Sequence, residues 1–179
     1  EASFVQSCAQ SLGLPFILGE GCASIKTRSE ASLRKNRHQF FSQSLKKIDS
    51  HILLLGHQRN DVAETMLMRL ARGSGTSGLC APRPIHHFKN GKIHLRPLIS
   101  IGKERLLTAL EQIGLPWCND SSNEGEYYFR NRIRRNVIPD WLSASTTDLW
   151  KGIERSRSLL EEDDIALENW LDIIFRDSP

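Results

Sequence analysis

The sequence predicts an α/β protein: a parallel sheet with flanking helices over residues 1–142, then a helical region over 143–179. Three observations predict it. Apolar runs and amphipathic segments alternate as helix, strand, helix, strand, helix through the first 72 residues. Ile52 to Leu55 is an unbroken apolar run, the pattern of a strand buried on both faces, as in a parallel sheet. Gly56-His57 then leads into a segment where Val62, Met66 and Leu70 recur at spacing four, which is one stripe of a helix.

Each element has its own justification. Phe4, Cys8 and Leu12 make a first helical stripe, and Gly13 stops it. Pro15 to Leu18 is expected to be a short strand, and the polar segment from Gly19 to Arg28 a loop. Ser29 to about Lys47 is helical, with Arg34 and Arg37 side by side at spacing three. After the central strand, Asn60 is placed to cap the next helix, whose first turn carries Asp61 and Glu64. That helix closes at Arg72-Gly73-Ser74-Gly75, expected to offer much free backbone N–H. Lys89-Asn90-Gly91 between two strand-like runs is a hairpin signal, and Pro84 and Pro97 confine the hairpin to a sheet edge. Residues 100–113 form an amphipathic helix ended by Gly114 and Pro116. Tyr127 to Val137 is a strongly basic helix, expected to end at Pro139. Thr147 to Phe175 is a long helix with Ile153, Leu160, Leu167 and Ile174 seven apart. It is expected to belong to a separate helical subdomain, with the junction near Ser143 to Thr147.

Charge is spread unevenly over the 179 residues. The net charge is only +3, but Lys26 to Lys47 holds seven basic residues against one acid, and Arg83 to Arg135 ten against five. Residues 150–179 hold four against eight. A basic front and an acidic tail imply a polyanionic partner for the front part. Cys8, Cys22, Cys80 and Cys118 contain no CxxC pair, which argues for reduced thiols in a cytoplasmic protein and against a compact cluster site. No apolar run approaches membrane-spanning length.

Open α/β sheets place ligands at the C-terminal ends of their strands. His57, Asp61 and Glu64 stand at that rim. Their bland readings are a turn-capping histidine and acids favoured by the helix macrodipole.

Three blocks of residues carry a resemblance. The first runs from Leu54-Leu55-Gly56-His57 through Asp61-Val62-Ala63-Glu64-Thr65 to Arg72-Gly73-Ser74-Gly75 and Gly78-Leu79. The second is Arg96-Pro97-Leu98 before a helix. The third is Gly114-Leu115-Pro116-Trp117, Asp120-Ser121-Ser122-Asn123 and Arg130-Asn131-Arg132-Ile133-Arg134. Together, over about residues 1–140, they resemble the tRNA(Ile)-lysidine synthase family of the PP-loop ATPase group. The resemblance implies a Rossmann-like, adenine nucleotide alpha hydrolase-like fold. It also implies ATP-dependent ligation of lysine to C2 of the wobble cytidine in the CAU anticodon of tRNA(Ile).

What else the resemblance implies is specific. Asp61 and Glu64 would receive the ammonium groups of free L-lysine, and His57, with a pKa near neutrality, would shuttle a proton. Arg34 and Arg37 would bind substrate, with Arg72, Gly73, Ser74 and Gly75 letting backbone approach a phosphate. Arg130 and Arg134 would clamp the anionic intermediate and departing AMP, while Arg132, Arg135 and the Arg83-to-Arg96 hairpin would contact the single-stranded anticodon loop of the tRNA. Asp120 and Asn123 would fix their loop. ATP would arrive with Mg²⁺, no metal would be held by the protein alone, and there is room for a homodimer.

Two departures qualify the match. The family's Ser-Gly-Gly-x-Asp-Ser loop, which grips pyrophosphate, has no counterpart here, and the usual His-His-x-Asp-Asp start reads His57-Gln58-Arg59-Asn60-Asp61. The chain is therefore expected to be a fragment that is inactive alone. Two competing expectations remain: a PP-loop tRNA thiolase, disfavoured by the missing CxxC pairs, and a non-catalytic RNA-binding module using Tyr127 to Arg135.

Overall fold

The computed structural model describes residues 1–19, 30–119 and 128–176. Helix α1 spans Ala2–Ser11 and closes at Gly13, whose φ of +65° only glycine adopts freely. The expected strand at Pro15–Leu18 does not form. Among the described residues no neighbouring strand supplies a ladder for it, and Pro15 has no N–H to give. Helix α2, Glu30–Lys47, leads through a tight turn at Asp49 into strand β1, Ile52–Leu54.

Strand β1 pairs in parallel with β3, Ile93–Leu95, and β3 pairs antiparallel with β2, Ile85–His87, in the order β1-β3-β2. The hairpin is as expected in place. Its loop is Lys89-Asn90-Gly91, with Gly91 N–H donating to Phe88 O at 2.9 Å and Gly91 at φ +79°. Three residues with glycine in the left-handed position match the twist of the strands. The sheet is mixed, not wholly parallel, because β2 returns through this tight turn.

The expectation that β1 is buried on both faces fails. Ile52 and Leu54 are 46% and 66% exposed. Among the described residues, strand β1 lies at the sheet's edge and bonds to β3 alone, and α2 packs against it.

The core is built on α3, Arg59–Leu70. Val62, Ala63, Met66 and Met68 of α3 pack with Ile99, Ile133, Ile138, Leu149 and Ile153. Leu70, expected on this stripe, is exposed, and Met68 takes a buried place instead. The cap also differs. Gln58, not Asn60, stands at the cap of α3: Asp61 N–H donates to the Gln58 main-chain carbonyl at 3.0 Å, and Asp61 Oδ2 accepts from Gln58 N–H at 2.8 Å. Asn60 serves another helix, its Oδ1 accepting from the Lys103 N–H that opens it.

A short helix, α4 (Thr76–Leu79), and then α5 (Lys103–Gln112) follow in the chain. The basic segment is helical from Phe129 to Arg132 (α6), then makes one π-helical turn over Ile133–Val137, and continues as α7, Ile138–Ala144. Pro139 does not end it. Proline removes an N–H and clashes with the carbonyl four residues back, and the wider turn relieves that clash. Ile138 N–H accordingly reaches Ile133 O, five residues back.

Helix α8 is Leu149–Arg176. Its N-terminal part, as far as Asp164, packs on α3 and α4 and buries Leu149, Ile153, Arg157 and Asp164. Its second half leaves Leu167, Trp170, Leu171 and Ile174 exposed. No helix among the described residues is long and apolar enough to cross a membrane.

Candidate active site

Gly56 and His57 leave the C-terminal end of β1 at the edge of a cleft of about 640 Å³. Its walls come from α2, the β2–β3 hairpin, α3 and the segment between α4 and β2. Six arginines line it, Arg34, Arg37, Arg69, Arg83, Arg96 and Arg130, against one acid, Glu168. Such an excess of guanidinium in a concave, partly desolvated space favours anions, phosphate above all.

The arginines are held in different ways. Arg83 is tied to Asp164 of α8, which also accepts from Thr76 at 3.2 Å. Arg69 donates to the Gly78 carbonyl. Arg96 donates Nε–H to His57 Nδ1 at 3.1 Å and a second N–H to the Arg83 carbonyl at 2.8 Å. Among the described residues, Arg34 and Arg37 have no carboxylate within ion-pair reach, so their charge is left to the cleft.

His57 differs from expectation. Burial pulls its pKa below the ordinary value, and Arg96, Arg130 and Arg37 pull the same way against Asp61. The ring is therefore neutral at neutral pH. Because Nδ1 accepts from Arg96, the remaining proton sits on Nε2, which leaves a donor rather than a base facing outward.

The two carboxylates also differ from expectation. Glu64 is 0% exposed and points at arginines, not at open space. Its Oε2 accepts from Arg130 Nε–H at 2.6 Å and from Arg134 at 3.1 Å, and its Oε1 accepts from Arg134 Nε–H at 2.6 Å. Hydrogen bonding to Glu64 in turn raises the Arg134 pKa. A fully buried carboxylate already saturated by two guanidinium groups has no room for a substrate ammonium, so the expected role of Glu64 is corrected to that of an anchor. Asp61 accepts from Arg130 at 2.9 Å and from its own cap, yet its side chain keeps 19% exposure. Helix α3 supplies the acids that Arg130 and Arg134 meet; Asp120 and Asn123, expected to fix their loop, lie outside the described residues.

The loop at Arg72, Gly73, Ser74 and Gly75 needs a further correction. Three of its four backbone N–H groups are spent: Arg72 and Ser74 donate to Arg69 O, and Gly73 to Leu70 O, each at 3.1 Å. Arg69 and Ser77, on either side, line the cleft, and residues 72–75 stand outside it. The glycines close a helix here rather than cradle a phosphate. Arg132 and Arg135 are exposed on the outer side of the basic segment, with Arg132 over the Phe129 ring at 5.7 Å.

Sequence reading thus found Arg34, Arg37, His57 and Arg130 among the residues that meet in the cleft. It missed Arg69 as a lining residue, and it missed His38, His86 and His94. A signal existed for two of these: His86 and His94 are equidistant from Asn90 at the hairpin turn, which sets them opposite each other across the ladder.

Comparison with known proteins agrees with this fold. A family model described as a PP-loop domain matches residues 1–141, and the chain belongs to that family. Within it, the chain is 36% identical over 140 residues to the tRNA(Ile)-lysidine synthase of Bacillus subtilis, covering 78% of this chain and 29% of that protein. It is 33% identical over 178 residues to the tRNA(Ile)-lysidine synthase of Geobacter sulfurreducens, covering 97% of this chain and 37% of that protein. The chain thus spans about a third of the length of these curated relatives. Among solved structures, the U34-tRNA thiolase NcsA from Methanococcus maripaludis, with its [4Fe-4S] cluster, superposes with a TM-score of 0.66. That match has 20% identity and covers 89% of this chain and 55% of the other, a likeness of fold.

Proposed function

We propose that this chain is the cleft-bearing part of an ATP-dependent tRNA(Ile)-lysidine synthase, which joins lysine to C2 of the wobble cytidine of the CAU anticodon. The observation that carries the reading is the 33% identity to a protein of that name across 97% of the chain. The arginine-lined cleft at the end of β1 supports it.

ATP supplies the adenylyl group that activates the C2 oxygen for displacement by an amine. The chain's own residues have the following parts. Arg34 and Arg37, without carboxylate partners among the described residues, would receive phosphate groups. Arg130, braced by Glu64 and Asp61, would hold negative charge that develops on the leaving phosphate. His57 would donate from Nε2 to a substrate oxygen while Arg96 fixes its orientation. Asp61, the one of the two acids with remaining exposure, would meet the amino-acid ammonium. Mg²⁺ would enter with the phosphates, keeping most of its waters.

The test is lysine incorporation into a tRNA(Ile) transcript by the full-length protein. Asp61→Asn should reduce incorporation by about a hundredfold or more with tRNA binding kept, as for loss of an orienting carboxylate. Wild-type protein that never incorporates lysine, or an Asp61→Asn variant that incorporates it normally, would refute the assignment. No specific observation favours the thiolase or the RNA-binding module as a second reading.

A further inference from the structure

Five rings line one wall of the cleft, and the hydrophobic core is built without them. Phe41 and His38 come from α2, His86 from β2, Phe88 from the end of β2, and His94 from β3. They form a continuous series. His38 meets Phe41 edge-on at 6.2 Å and lies parallel to His94 at 6.0 Å, with 17° between the planes. His94 then meets Phe88 at 4.6 Å, and Phe88 meets His86 at 4.4 Å. Lys92 Nζ donates to Ser42 Oγ at 2.9 Å and ties the hairpin to α2.

This wall has an unusual pairing of properties. Phe88 remains 38% exposed at its end, while His94 behind it is 7% exposed. Burial comes first in lowering all three histidines, with Arg96 adding to each; His94 falls to about 4. At neutral pH the rings are uncharged π surfaces standing beside six cationic side chains. Flat neutral rings next to guanidinium groups are the two elements that bind a nucleotide of a single strand: the base stacks and the phosphates pair. A cleft of about 640 Å³ has space for one nucleotide with its flanking phosphates.

We propose that the Phe88 end of this wall stacks a nucleobase of single-stranded RNA, with Arg34, Arg37 and Arg96 taking the adjoining phosphates. The proposal rests on the reading of the chain as part of a tRNA-modifying enzyme and adds to it a base-binding subsite. Nucleobases come from ATP as well as from RNA, and the experiment separates the two.

The 179-residue chain is titrated into a short RNA stem-loop carrying 2-aminopurine in its loop, with anisotropy reporting binding and fluorescence reporting stacking. Phe88→Ala should weaken binding about tenfold and abolish the quenching, and Phe88→Trp should restore both. An abasic loop position should produce the same loss in wild-type chain and no further loss in Phe88→Ala. RNA binding with quenching that is indifferent to Phe88→Ala overturns the stacking site and leaves the tRNA reading standing. Wild-type chain that binds no RNA overturns the stacking site, and the tRNA reading is then decided by lysine incorporation in the full-length protein. A Phe88-dependent signal seen with fluorescent ATP and not with RNA overturns the RNA assignment.

Discussion

Arg130 and Arg134 on one side of α3, and Arg34 and Arg37 on α2, look alike in the sequence, as basic pairs at helical spacing. The structure gives them opposite surroundings. The first pair closes on Glu64 and Asp61 through four hydrogen bonds of 2.6–3.1 Å. The second pair faces the cleft with no carboxylate in reach among the described residues. Charge that is matched internally holds the fold and fixes a side chain in place; charge left unmatched is available to a ligand. The comparison also explains Arg130, which belongs to both settings, since it is braced by acids behind and lines the cleft in front.

Breaking the matched side should have the largest effect. Glu64→Ala strands two guanidinium groups in a partly buried site and should cost roughly 3 kcal/mol of stability, seen as a lowered midpoint in urea. Glu64→Gln keeps the shape and some hydrogen bonds and should cost less. If Glu64→Ala unfolds at the wild-type midpoint, the brace is not structural.

Acid should expose the next largest effect, in the ring wall. His94 has a folded pKa of about 4 against 6.5 in the unfolded chain. The unfolded chain therefore takes up its proton first as pH falls. The stability that comes from a neutral His94 is complete above about pH 6.5 and is lost as pH falls towards 4. His94→Gln should flatten that decline by on the order of 2 kcal/mol between pH 7 and 4. A denaturation series with the same slope in both proteins would contradict the buried, neutral histidine.

The smallest effects belong to the glycine loop. Gly73 sits at φ +72° with nothing within 4 Å of an added Cβ, so Gly73→Ala should cost about 1 kcal/mol from backbone conformation alone. Arg72→Ala should leave RNA affinity within about twofold, since the side chain stands outside the cleft. A larger loss of affinity would return this loop to the binding surface.

The residues explain why some of this was legible and some was not. The strand-to-helix step at Leu55 to Asp61 was readable because period, glycine and first-turn acid are all local signals. The hairpin was readable from Asn90-Gly91 for the same reason. The fate of Glu64 was not, since its partners lie 66 and 70 positions away and nothing local distinguishes a waiting carboxylate from a satisfied one. Pro139 misled because a π-helical turn, which needs no special residue, absorbs its clash. The Arg72–Gly75 loop misled because glycine serves a helix end and a phosphate cradle equally well, and only the hydrogen bonds tell them apart. Strand β1 misled because burial depends on what covers a strand, and its apolar composition is silent on that.

The most direct measurement of the central claim is the salt dependence of RNA stem-loop binding to this chain, with and without the cleft's unmatched charge. An Arg34→Ala, Arg37→Ala double variant should fold as the wild type does, bind more weakly, and lower the slope of log affinity against log salt by about one to two units. An unchanged slope and affinity would show that these arginines are not the anion site and that the cleft does not carry the function assigned to it.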